Sequence, residues 1–368
     1  MTKRKVAVIG GGHGSYATAA HLALAGHNLR MWVPENPKYD LLKADQAITW
    51  IDGQGRKRAS LDLVSSDPGR AIKGAEIVIS PLPAFSQPDI AALVGPHLED
   101  GQIFLLSPGS LGSILFSSLL KEKGLSKDLV YAEPGTLPYL ARKSGPAEVE
   151  ISARTVRQPV GVFPAARTSE TVDRLAELYP EIHPVENALS VALLNVGPLL
   201  HSVLVLLNLG AIEHSQAWDI HNEGTTASVK KLILALDEER IQVRRALGFA
   251  SHHYPFSDHY DQGAQEEWMY GRKGHTELVK SENWREPISL KHRYVQEDVK
   301  VNLTLFVSIG RLAGQETPLA GSVLSLFGSL LEENLDRTGR TLESLGLGGM
   351  SPEEVERLLR DGFHPDIS

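Results

Sequence analysis

The chain contains no cysteine among its 368 residues. Disulfides, thiolate nucleophiles and cysteine-ligated zinc or iron–sulfur centres are thereby excluded. An excess of positive charge is also missing: 37 Lys and Arg stand against 45 Asp and Glu, a formal net charge of -8. A general nucleic-acid binder carries a basic face, so no nucleic-acid partner is expected. A local basic cleft for small anions stays compatible with an acidic surface. No signal peptide is expected either, because the first apolar run, Val6–Ile9, is short and breaks at once into glycines. One stretch has the length and apolarity of a membrane span, Ala188–Ile212, but it carries Asn195, Pro198, His201 and Asn208. Polar groups at mid-span are costly. A buried core helix is expected instead, with no membrane partner and a cytoplasmic location.

A chain of this length exceeds what one core usually serves, so two domains are expected. In the first half, short apolar runs at Val6–Ile9, Asn28–Val33, Glu76–Pro81, Gln102–Ser107 and Leu129–Ala132 alternate with helical patterns at Ser15–Ala25, Pro88–Leu98 and Leu111–Lys123. That alternation predicts a parallel, doubly wound sheet. Glu148–Ala153 and Pro159–Phe163 read as two more strands, antiparallel at an edge. After about Asn187 the strand signal stops. Ala188–Ile212, Ala227–Leu247, His292–Ala313 and Ala320–Leu335 read as helices, with Gly248 closing the second. Ser351 caps a last helix, with Pro352 at its first position and Glu353 and Glu354 in its first turn. The expected architecture is an α/β Rossmann-type doubly wound parallel sheet over residues 1–186, followed by an all-α domain over 187–368.

Gly10-Gly11-Gly12-His13-Gly14-Ser15 follows the first strand and opens the first helix. This is the setting of a dinucleotide-binding loop. Gly10 permits the tight turn, Gly12 lets the backbone approach a pyrophosphate, and the helix N-terminus offers unpaired N–H groups to it. Gly10, Gly12, His13, Gly14 and Ser15 are the candidate cofactor residues, joined by Trp32, Pro81 and Pro108. An acid ending the second strand would select NAD, but Val33 stands there and Glu35 lies two residues on. No Arg awaits a 2′-phosphate, although Lys38 is near in sequence. The cofactor is therefore expected to be NAD or NADP, with the choice open.

Hydride chemistry needs a group that gives or takes a proton, and histidine suits it. Of 14 histidines, His201 stands out because it interrupts the most apolar segment. Asn208, seven residues on, shares its helical face. Asn195, six before, approaches that face only if Pro198 kinks the helix. From the residues alone, His201 is either an acid/base group or a core histidine bonded to a carbonyl. His252, His253, His259, Asp258 and Asp261 cluster, but their spacing matches no ligand set, so no metal is expected. Arg142, Arg272 and Arg293 are candidates to grip a carboxylate.

Asn195-Val-Gly-Pro-Leu-Leu-His201 with Leu207-Asn208 resembles the catalytic helix of the opine (octopine/nopaline) dehydrogenases. Arg293-Tyr294-Val-Gln-Glu297-Asp298-Val299 resembles that family's Arg-Tyr…Glu-Asp-Val segment, and Gly339–Leu347 its C-terminal stretch. Gly10–Ala17, Leu106–Gly109 and Glu133–Arg142 are similar too, in the same order along the chain. The resemblance implies reductive condensation of an amino acid with a 2-oxo acid through their imine, by an NAD(P)-dependent enzyme. It implies His201 as general acid/base, Asp298 on its other ring nitrogen, and Asn195 at the substrate. Thr136, Arg142, Asn208 and Arg293 are the further candidate substrate-binding residues; the oligomeric state stays open, with a homodimer one option. A carboxylate beside the imidazole is expected to raise its pKa. His13 departs from the Asn frequent in the family's glycine loop. Ketopantoate reductases and glycerol-3-phosphate dehydrogenases have the same layout but rely on a catalytic lysine, and Ala188–Ile212 has none. A non-catalytic nicotinamide sensor is the other rival, with little need for a proton carrier. The stretch Ser251–Arg285 is expected to line the substrate pocket.

Overall fold

The computed structural model describes residues 3–250, 252–272, 274, 276 and 284–363. These fall into two compact units. One holds Met1–Val191 with residues 360–363, and the other Ala192–Leu359.

In the first unit, the buried runs of the sequence form an eight-stranded sheet. Its order is Ile182–Pro184, Gln158–Phe163, Val130–Pro134, Ile103–Leu106, Ile77–Ser80, Lys5–Ile9, Asn28–Trp32 and Leu63–Ser65. Every neighbouring pair is parallel except Val130–Pro134 with Gln158–Phe163, which is antiparallel. Strands such as Ile77–Ser80 and Ile103–Leu106 are buried along their whole length, as parallel strands covered on both faces must be. Gln158–Phe163 is antiparallel as expected, but Ile182–Pro184 lies outside it, so it is not the edge.

Glu148–Arg154 is not in this sheet. It joins a second one, ordered Gly55–Ser60, Ala47–Asp52, Glu148–Arg154, Tyr139–Gly145. Three of these four strands, all but Glu148–Arg154, carry no strong strand signal in the sequence. One local signal was present: Asp52-Gly53 sits at the tip of the hairpin, where Asp52 Oδ1 accepts from Gln54 N at 2.8 Å. Helix His13–Leu24 packs against strands of both sheets. Gly14–Ala20 and Leu22 are accordingly buried, and its composition is small and apolar almost all round.

The second unit is built from Gly197–Leu207, Ala227–Ala246, Tyr294–Leu303, Thr304–Leu312, Pro318–Leu331 and shorter helices. Its only strand pairing among the described residues is the two-residue ladder of Trp218–Asp219 with Arg285–Glu286. Thr226 caps Ala227–Ala246 through Val229 N, and Gly248 ends it at φ +73°. Ser351 and Glu354 form a capping box, each side chain on the other's N–H, at 3.3 and 2.8 Å.

Two expected helices are broken. The run 188–207 has a mean hydropathy of 1.9 and is 67% buried, which suits a core segment. It divides into Ala188–Ala192 and Gly197–Leu207, and after Asn208 the helix Leu209–His214 follows. Pro198 cannot donate within a continuing helix, so it occupies the first turn of a new one. Asn195 Oδ1 takes the Gly197 N–H at 3.0 Å. The expected His292–Ala313 helix begins as a π-helix, Tyr294–Leu303, and continues as α-helix Thr304–Leu312. Such widened turns recur at functional sites.

Candidate active site

In the first unit, the glycine loop and the selected prolines share one edge of the sheet. Ile9, Trp32, Ser80 and Leu106 are in register or adjacent at the carboxyl ends of four neighbouring parallel strands. Gly10, Pro81 and Pro108 therefore follow in adjacent loops, the place where open α/β sheets bind ligands. Gly10 adopts φ +108°, a conformation open to glycine, and a Cβ there would meet Leu82 and Ser15. A Cβ at Gly14 would come within 3.1 Å of Leu137 and 3.3 Å of Pro81. Ser15 is buried and donates to Ile9 O at 3.3 Å. A Cβ at Gly12 would meet nothing within 4 Å. Gly12 is the N-cap of His13–Leu24 and brings no side-chain cap. The first N–H groups of this helix thus border open space, the fit a pyrophosphate requires.

Trp32 ties its indole N–H to Ser66 O at 3.1 Å. His13 Nδ1 accepts from Lys143 N at 2.8 Å. Nothing in the sequence distinguishes Lys143, yet its ammonium lies 3.3 Å from Gly11 O and 3.8 Å from the Tyr16 ring centroid. Only the second sheet, which has no strong sequence signature, brings it to the loop. Burial holds its pKa below the usual lysine range. Arg142, the preceding residue, pairs in that sheet with Glu150. Thr136 gives its carbonyl to Gln158 Nε2 at 2.8 Å. Glu35 is ion-paired to Lys43 at 2.8 Å, and Val33 is fully buried.

In the second unit, His201 and Asp298 meet across 97 residues of chain, Nδ1 to Oδ2 at 2.7 Å. Their side chains are 14% and 6% exposed. Helix Gly197–Leu207 presents His201, and the wide turn of Tyr294–Leu303 presents both Asp298 and Tyr294 to it. The close approach needs Gly197: a Cβ there would lie 2.7 Å from Asp298 Oδ1 and 3.1 Å from Asn195 Oδ1. Asn195 also lines a small cavity with Pro198, Arg240 and Asn302. Arg240, missed in the sequence, is 1% exposed; it donates to Asp237 at 2.7 Å and to Leu193 O at 2.9 Å, within the break before the His201 helix.

The expected rise in the His201 pKa is not found. Burial, then the charges of Arg293 and His292, hold it well below the usual histidine range. Burial also pushes the Asp298 carboxyl up to about 7. Both directions have one cause, the cost of charge in a dry site. The pair titrates as a unit. Its acid form carries protons on Nε2 and between Nδ1 and Oδ2, and its base form keeps only the latter.

Arg293 pairs with Glu297 at 3.7 Å, not with Asp298, and its guanidinium lies 5.0 Å from the Tyr294 ring centroid. Asn208 spends its Nδ2 on Leu204 O and Gly224 O, at 2.9 and 3.2 Å, so a ligand contact from it would use Oδ1. Arg272 pairs at the surface with Glu266. His253 accepts from Arg244, His259 stacks on Phe256, and His252 Nε2 lies 3.8 Å from Asp258 Oδ2. The stretch Ser251–Arg285 lies partly outside the described residues.

The family profile described as NAD/NADP octopine/nopaline dehydrogenase, alpha-helical domain, matches residues 184–331. An opine dehydrogenase of Arthrobacter sp. (strain 1C) is 30% identical over 357 residues, 95% of this chain and 97% of the relative. A structure of octopine dehydrogenase in complex with NADH and agmatine shares the fold, with TM-score 0.75, 17% identity and coverage of 98% and 99%. A yersinopine dehydrogenase with NADP+ bound does so at TM-score 0.65 and 15% identity, covering 97% and 98%. The chain belongs to the opine dehydrogenase family, NAD(P)-dependent oxidoreductases acting on CH–NH donors that condense an amino acid reductively with a 2-oxo acid.

Proposed function

We propose that His201 is the proton carrier of this reaction and Asp298 its orienting partner. The 2.7 Å contact between Nδ1 and Oδ2 carries the reading. With Nδ1 engaged, Nε2 is the nitrogen that gives a proton to the substrate or takes one from it. A nicotinamide dinucleotide, when bound, supplies or accepts the hydride. Gly10, Gly12, His13, Gly14 and Ser15 hold its pyrophosphate, with Trp32, Pro81 and Pro108 along the same strand ends. Lys143 adds positive charge beside the loop. Asn195, held by Gly197 N, orients substrate near the pair.

The substrates are an amino acid and a 2-oxo acid, so two carboxylates need partners. Arg293, beside Tyr294, and Arg142 are assigned to them, with Thr136 and Asn208 Oδ1 as polar contacts. The domain division at residues 186/187, a homodimeric assembly and a cytoplasmic location complete the reading. The test is a matrix of amino acids against 2-oxo acids, assayed with NADH and with NADPH, and mass spectrometry of the product. A secondary amine joining both substrates is the expected result. Reduction of the oxo acid alone, indifferent to amino acid, would overturn it.

A further inference from the structure

We propose that Tyr294 is the positioning residue for His201 and that His221 holds Tyr294 in place. The inference rests on His201 being the proton carrier. One hydrogen bond to Asp298 leaves an imidazole able to turn about that bond. The Tyr294 ring lies flat on the imidazole, centroids 3.9 Å apart and planes 15° apart. Tyr294 is 1% exposed, and its hydroxyl is hydrogen-bonded to His221 Nε2 at 3.0 Å. The His221 ring stands edge-on to His201 at 5.3 Å and to Trp284 at 5.6 Å. His292 packs edge-on to Tyr294 at 4.4 Å. A bond at Nδ1, a ring on the face and a ring at the edge leave Nε2 one direction.

The stack also bears on charge. An aromatic face attracts a cation, so Tyr294 favours the imidazolium where burial, Arg293 and His292 oppose it. Asp298 and His221 are the other titratable groups facing the ring. Helix Pro318–Leu331, packed on the His201 helix, has no titratable residue. On Ala227–Ala246, the buried Asp237 and Arg240 are bonded to each other and to backbone at Leu193, Tyr254 and Phe256.

The experiment compares Tyr294→Leu, Tyr294→Phe, His221→Leu and His201→Asn in the full chain. Folding is checked by circular dichroism and cofactor titration. Tyr294→Leu is expected to lower kcat roughly 10- to 100-fold, as misplacement of a catalytic group does. KM is expected to stay within a few-fold, and the pH limb of kcat to move about one unit lower. Tyr294→Phe keeps the ring but loses the hydroxyl bond, so its kcat should lie between wild type and the Leu variant, and His221→Leu, which removes the same bond, should match it. A folded Leu variant with wild-type kcat and pH limb would overturn the inference. So would a loss confined to KM, or a Phe variant as damaged as the Leu one. A wild-type profile for His221→Leu removes His221 from the proposal. If the Leu variant does not fold, Tyr294→Trp against Tyr294→Met makes the same comparison of ring with no ring. An active His201→Asn brings down the underlying assignment, whereas an inactive one beside an unaffected Leu variant brings down this inference alone.

Discussion

Gly197 and Asp298 are packed so closely that the first carbon of any side chain at 197 would lie 2.7 Å from the Asp298 carboxylate. Gly197→Ala is therefore expected to push Asp298 off His201. Gly197 is in the first turn of its helix, where alanine is well tolerated, so the fold should survive. The expected outcome is kcat lowered by roughly 10- to 100-fold with cofactor affinity unchanged, read from steady-state kinetics and NADH titration.

His201→Ala should lower turnover by about 100- to 10,000-fold, the usual range for an acid/base group. Cofactor binding should persist, because the glycine loop belongs to the other unit. Asp298→Asn should fall comparably by favouring the wrong tautomer. Near-wild-type turnover in either variant would remove that residue from its role.

The pair's pH dependence has a definite sign. Asp298 is pushed up to about 7, so the acid form of the pair persists to that pH and is lost as pH rises through it. Reductive condensation uses the acid form, and oxidation of the product uses the base form. The first is expected to fall above about pH 7 and the second to rise, measured as kcat/KM in both directions. Parallel limbs in the two directions would contradict the assignment.

Gly12→Val and Gly11→Ala should separate binding from folding. A Cβ at Gly12 enters open space, whereas one at Gly11 would lie 2.4 Å from the Tyr39 ring. Gly12→Val is expected to abolish tryptophan quenching by NADH or NADPH while keeping Tm. Gly11→Ala is expected to lower Tm.

Arg240→Leu should destabilise the helical unit. The substitution leaves Asp237 buried without its cation and Leu193 O without its donor. Removing one member of a buried pair costs about 3–5 kcal/mol, which thermal unfolding would show as a lower Tm.

The sequence by itself determined the parts whose physics is local. Apolar runs next to glycine or proline specified the five central parallel strands, because a strand buried on both faces has no polar alternation to lose, but not the short edge strands Leu63–Ser65 and Ile182–Pro184. The glycine loop was legible because its backbone geometry admits little else. Ser351 and Gly248 marked helix ends through hydrogen bonds made within a few residues, whereas Pro198, expected only to kink one long helix, ends up starting a new one. His201 was conspicuous as an ionisable group in an apolar segment, but its partner was 97 residues away, and no spacing rule reaches that far. The tertiary structure decided what depends on such distant contacts. It brought Asp298 and Tyr294 to His201 on one widened turn, and Lys143 to the glycine loop through a second sheet. It also decided how the His201–Asp298 pair titrates, because the cost of burying charge is set by everything that surrounds the two groups, not by the one contact between them.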